Sequence, residues 1–132
     1  MTKSAGPLAG IKVLELGTLI AGPFCARMLA EFGAEVIKIE SPDGGDPIRQ
    51  WRILKDGTSL WWSVQARNKK SVTLNLKHAK AQQIARRLAL DAEVIIENYR
   101  PGVLEKWQLG YALLRTDQPL GVRGPYHQQG AH

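Results

Sequence analysis

The sequence holds a single cysteine, Cys25, so no internal disulfide can form, which fits a reducing compartment. It has no run of about 18 apolar residues, so no membrane-spanning helix is expected. The opening residues, MTKSAGPLAG, lack a long apolar stretch, so no secretory leader is read and a cytoplasmic protein is expected. G-x-G-x-x-G is missing, which removes the dinucleotide-binding fingerprint, although Glu40 stands where an NAD-binding acid would close a second strand. G-K-S/T is missing too, which excludes a P-loop. His127 and His132 have no ligand-spaced partner, so no metal site is expected.

What is present is ordinary in bulk and uneven in placement. The 132 residues suit one domain, with 44% hydrophobic and 23% charged content. Residues 1–66 hold seven Lys/Arg and seven Asp/Glu, so the net charge of +6 falls entirely in residues 67–132. From Arg67 to Arg87 there are seven basic residues and no acidic one. Such a field attracts phosphate, whether on a nucleotide, a nucleic acid or a membrane surface. Aromatic residues do not interleave with this run, which disfavours nucleic acid.

Periodicity predicts strands at Ile11–Leu16, Glu35–Glu40, Ser71–Leu76 and Ala92–Asn98. Between the first two, Pro23 suits a first helical turn and Gly33 a helix stop. Phe24, Met28, Leu29 and Phe32 follow at helical spacing and predict a buried stripe that includes the flank of Cys25. A second helix is expected within KHAKAQQIARRLAL, with Ala81, Ile84, Ala85 and Leu88 inward. One or two short helices are expected around Leu104, Trp107 and Leu113. Strands alternating with helices argue for an open, mainly parallel α/β sheet with flanking helices. Residues 116–132 have few large apolar side chains and no periodicity, and read as an irregular tail.

In open α/β sheets, ligands bind beyond the carboxyl ends of the strands. Leu19, Ile20 and Gly22 fall there, ahead of a helix start suited to an anion. Lys69, Lys70 and Lys77 flank the third strand and can pair with phosphate. Asn98, Tyr99, Arg100 and Lys106 follow the fourth, with Pro101-Gly102 forcing a turn. The bland reading of each motif is a capped turn with solvated charges.

Three of these blocks, in order, resemble one family. GPLAGIKVLELGTLIAGPFCARMLAEFGAEVIKIESPDGGDPIR is similar to the N-terminal region of the class III CoA-transferases, the group of formyl-CoA transferase, carnitine CoA-transferase and α-methylacyl-CoA racemase. NKKSVTLNLK and ENYRPGVLEKWQLGY resemble the next two blocks, so the likeness covers about residues 6–115. It implies a Rossmann-like large domain binding coenzyme A or acyl-CoA, here in residues 1–115. It implies contacts from Leu19, Ile20, Ser41, Leu74, Lys77, Asn98, Tyr99, Lys106 and Trp107. Formyl-CoA transferase has Gln, Arg and Arg where this sequence has Ile20, Ser41 and Lys106, so formyl-CoA specificity is not implied.

The resemblance further implies an aspartate nucleophile downstream of a G-P-Y loop, matched here by Gly124–Tyr126. No aspartate in this sequence takes that place, and TDQPLGVRGPY is too short for the strand the family puts there. The expectation is therefore an incomplete large domain, truncated or internally deleted, with no catalytic residue of its own. The interlocked homodimer that the family implies would be out of its reach. A racemase or isomerase of the same family, or a non-catalytic anion-binding or nucleic-acid-binding module, stays open at this point.

Overall fold

In a computed structural model, residues 5–117 are described, and β1 (Lys12–Glu15), α1 (Ala21–Glu31) and β2 (Glu35–Glu40) come first. A 3-10 turn (Pro47–Gln50), a hairpin of β3 (Leu54–Lys55) and β4 (Thr58–Ser59), and α2 (Leu60–Gln65) lead to β5 (Lys69–Thr73). Then come α3 (Ala79–Leu90), β6 (Val94–Ile96), α4 (Val103–Lys106) and α5 (Tyr111–Asp117). The main sheet has the order β5-β2-β1-β6 and every pairing in it is parallel. The chain thus winds outward from β1 on one side through β2 and β5. It then returns to the other side of β1 for β6. The crevice between β1 and β6 is the topological switch point.

Alternate strand residues serve two different layers. Leu14, Leu16, Ile39 and Ile95 pack with Ala85 and Ala89 of α3, Leu104 of α4 and Leu114 of α5. Val13, Val36 and Ile96 point the other way and pack with Ala26 and Ala30 of α1. Both faces of the parallel sheet are thereby covered, as such sheets require.

The buried side of α1 differs from the expected one. Gly22, Pro23, Ala26 and Ala30 are buried, whereas Phe24 is 47% and Phe32 50% exposed. Two residues along a helix turn it by about 200°, so the stripe through 22, 26 and 30 lies opposite that through 24, 28 and 32. Small side chains let the helix axis approach the sheet, and Met28 and Leu29 are only half-buried. The same reason corrects α3, where Ala81, Ala85 and Ala89 are buried and Ile84 is 44% exposed. Leu88 packs against the core as expected.

Strand limits also shift. The third sheet strand starts two residues earlier than predicted, because Lys69 pairs with Val36. It stops at Thr73, although the Leu74 amide still donates to the Glu40 carbonyl at 3.0 Å. Asn75 then turns the chain, its side chain accepting from the Lys77 amide at 3.2 Å. The last strand is confined to Val94–Ile96, after which the Glu97 carboxylate accepts from the Tyr99 amide at 2.9 Å. α5 (Tyr111–Asp117) spans residue 115, where the domain boundary was expected. The remainder of the expected tail, with Gly124–Tyr126, His127 and His132, lies outside the described residues. Among the described residues no helix is long and apolar enough to cross a membrane.

Candidate functional site

Beyond the carboxyl end of β1, the chain runs through Gly17–Ile20 into α1. A Cβ on Gly17 would meet the Gly22 Cα at 2.9 Å and the Asn98 side-chain oxygen at 2.8 Å, so only glycine permits this close approach. Leu19 adopts φ 63°, the left-handed region that side chains rarely occupy. α1 starts after Ile20 with no side-chain cap, so its amide end is open to an anion.

The loop is fastened from below by buried charge. Glu15, Lys38, Glu40, Lys69 and Ser71 occupy alternate strand positions on the face that α1 covers. Lys38 is 1% exposed and reaches Glu15 Oε1, Asp46 Oδ2 and the Gly17 carbonyl, each at 2.8 Å. Lys69, on the edge strand β5, reaches across β2 to Glu15 Oε2 and to the Pro23 carbonyl, both at 2.8 Å. Burial pushes the Lys69 ammonium below its ordinary range, and the Glu15 carboxylate opposes that push. Lys69 is therefore unavailable to phosphate, against expectation, and Lys70 faces Glu35 at 3.4 Å.

A second group sits at the end of β2. Glu40 accepts two hydrogen bonds from Arg49, at 2.9 and 2.7 Å, one from the Asp46 amide at 2.8 Å, and one from the Ser71 hydroxyl. Burial alone would raise its pKa, but the bonds from Arg49, Ser71 and Asp46 and the Arg49 charge bring it down to about 2. Arg49 also lies over the Trp62 ring, 3.7 Å from its centroid, which ties α2 to the sheet. Glu40 is thus a structural acid and is not free to hold a ribose.

The nine contact residues expected from the resemblance all lie in segments that follow β1, β2, β5 or β6, whereas Lys69 and Lys70 open β5. Leu19 and Ile20 are exposed in the first loop. Ser41 is exposed after β2 and lines a cavity of about 250 Å³ with Gly44, Gly45, Arg49 and Thr73. Leu74, Tyr99 and Trp107 are partly buried against the same apolar core. Tyr99 and Trp107 meet edge to face with ring centroids 5.2 Å apart. Burial first, then the charges of Asp46, Glu97 and Glu15, push the Tyr99 phenol up to about 12, so it stays protonated at neutral pH. Lys77 and Lys106 are exposed. Asn98 is half-buried after β6, where its side chain bonds both Thr18 backbone groups. Arg100 is exposed.

Glu15, Lys38 and Asp46 carry this geometry and were not singled out by motif. A signal for two of them existed, since KVLEL and EVIKIE place charges inside strands that a parallel sheet buries. Cys25 lies half-buried on α1, and burial and Glu15 raise its thiol more than Lys69 lowers it, so it is not an activated nucleophile.

The model for "CoA-transferase family III" matches residues 8–123. The chain is 46% identical to succinyl-CoA–D-citramalate CoA-transferase of Chloroflexus aurantiacus, over 93% of this chain and 33% of that protein. It is 44% identical to human succinyl-CoA:glutarate CoA-transferase, over 96% of this chain and 31% of that protein. A crystal structure of a CAIB/BAIF family protein from Brucella suis superposes with a TM-score of 0.79 at 36% identity, covering 86% of this chain and 31% of that one. The chain spans about a third of the length of the relatives it matches.

Proposed function

The chain belongs to CoA-transferase family III, and from that premise we propose that it binds the coenzyme A part of an acyl-CoA across the carboxyl ends of β1, β2, β5 and β6. The observation that supports this reading is that all nine candidate residues lie in the segments that follow β1, β2, β5 or β6. The open amide end of α1 and the exposed Lys77 and Lys106 supply positive potential for phosphates. Tyr99 and Trp107 supply flat apolar surface, and Asn98 shapes the crevice floor. We assign binding to residues 1–115 together with the rest of α5.

In the whole family protein the reaction served would be transfer of CoA between an acyl-CoA and a free carboxylic acid. The relatives compared are named for succinyl-CoA, which makes it the first acyl donor to test. Asp46, which borders the crevice, is buried and committed to Lys38 and to two backbone amides, so it is not free to attack a thioester. The contribution proposed for this chain is therefore ligand binding.

Calorimetric titration of the folded chain with CoA and with succinyl-CoA, using ATP as control, tests the proposal. Saturable binding that prefers CoA, weakened about tenfold by Lys77→Ala, is the expected result. A folded chain that binds ATP and CoA alike, or neither, overturns it.

A further inference from the structure

Side chains from four directions hold the seven-residue segment Gly17–Pro23. Lys38 of β2 donates to the Gly17 carbonyl at 2.8 Å. Asn98, after β6, accepts from the Thr18 amide at 2.8 Å and donates to the Thr18 carbonyl at 2.9 Å. Asp46, after β2, accepts from the Leu19 amide at 3.0 Å. Lys69 of β5 donates to the Pro23 carbonyl at 2.8 Å. The loops after β1, β2 and β6 are thus joined through the Thr18–Leu19 dipeptide.

Asp46 has the central place. Its Oδ1 accepts from Leu19 and from Ile48, each at 3.0 Å, which joins the first loop to the turn at Pro47–Gln50. Its Oδ2 faces Lys38 at 2.8 Å, which fixes the carboxylate's orientation. Leu19 sits at φ 63°, a conformation that persists where the surroundings over-determine it. Asp46 is 2% exposed, and its direct bond to the first loop is the one it accepts from the Leu19 amide.

We propose that Asp46, oriented by Lys38, is a positioning residue that holds Leu19 in its left-handed conformation and thereby sets the affinity of the crevice for CoA. The affinity part rests on the CoA-binding reading; the hold on Leu19 does not.

The test is amide hydrogen exchange on the full 132-residue chain, read beside CoA titration, for the wild type, Asp46→Ala and Asp46→Asn. In the wild type the Leu19 amide is expected to be protected. Asp46→Ala is expected to speed its exchange at least about tenfold and to weaken CoA about tenfold. The Leu16 amide, bonded to the Ile96 carbonyl at 2.8 Å, should keep its protection. Asp46→Asn keeps the side-chain volume but turns a donor NH2 toward either Lys38 or the Leu19 and Ile48 amides, so it should weaken Leu19 protection too. Equal Leu19 exchange in wild type and Asp46→Ala overturns the hold. Released Leu19 with unchanged CoA affinity overturns the link to binding. A wild type that ignores CoA overturns the binding proposal alone, since the exchange data still decide the hold. If Asp46→Ala does not fold, Asp46→Asn carries the test, and Leu19 as protected there as in the wild type overturns the proposal.

Discussion

The two faces of the sheet are built from the same strands and obey different physics. On the α3 face, Leu14, Leu16, Ile39 and Ile95 form an apolar layer. On the α1 face, the amino-terminal halves of β1 and β2 are apolar, with Val13 and Val36 under Ala26 and Ala30. Their carboxyl-terminal halves carry Glu15, Lys38 and Glu40 instead, and Lys69 reaches them from the start of β5. Burying these ions is costly, and pairing offsets the cost without a large surplus. The apolar face stabilises the fold. The charged half-face fixes where one loop sits, and that loop borders the proposed ligand crevice.

The sharpest way to break this comparison is Lys38→Met. It leaves Glu15 and Asp46 buried with one cation fewer, and thermal or denaturant unfolding should show a loss of about 3–5 kcal/mol. Leu14→Ala, one residue from Glu15 on the opposite face, provides the reference, at about 3 kcal/mol. An equal loss for both would show that the faces differ in chemistry but not in sensitivity to truncation. A negligible loss for Lys38→Met would show that the two carboxylates find water once the cation is gone.

Acid should distinguish the faces next. The Glu40 carboxyl is depressed from 4.5 to about 2, so its contribution is fully present above pH 4.5. That contribution, about 3 kcal/mol, is lost as pH falls from there toward 2. Stability measured across this window should slope downward with acid, and Glu40→Gln should flatten the slope while lowering stability at neutral pH. An unchanged slope would assign the acid sensitivity to other carboxylates.

The smallest effect is expected at the outer side of α1. Phe32 is half exposed, so Phe32→Ser should change stability by no more than about 0.5 kcal/mol. A loss typical of a core phenylalanine would reinstate the stripe expected from periodicity.

That stripe shows where reading residues one at a time reaches its limit. Helical spacing in AGPFCARMLAEF is satisfied by two apolar sets, one large and one small. Hydrophobicity favours the large set, but the separation between helix and sheet selects the small one, and separation is not written in any single segment. Ile84 on α3 was misplaced for the same reason. The alternation in EVIKIE located β2 to the residue. The charges inside that strand were legible as a warning that a buried partner was needed. Which partner could not be read, because Glu15, Asp46 and Lys69 lie far apart along the chain.

The sequence by itself determined the alternation of strands and helices, the turn chemistry after each strand, and the family blocks. These depend on neighbours a few residues away, through backbone propensity and side-chain periodicity. Only the tertiary structure decided which lysines face solvent and which are sealed against carboxylates. It also decided which side of α1 meets the sheet, and that Asp46 and Asn98 converge on Thr18 and Leu19. Those outcomes depend on distances between strands that the chain brings together only when the β5-β2-β1-β6 order has formed. In a low-dielectric interior a charge must find its partner within about 3–4 Å or stay in water, and that constraint belongs to the folded sheet rather than to any stretch of sequence.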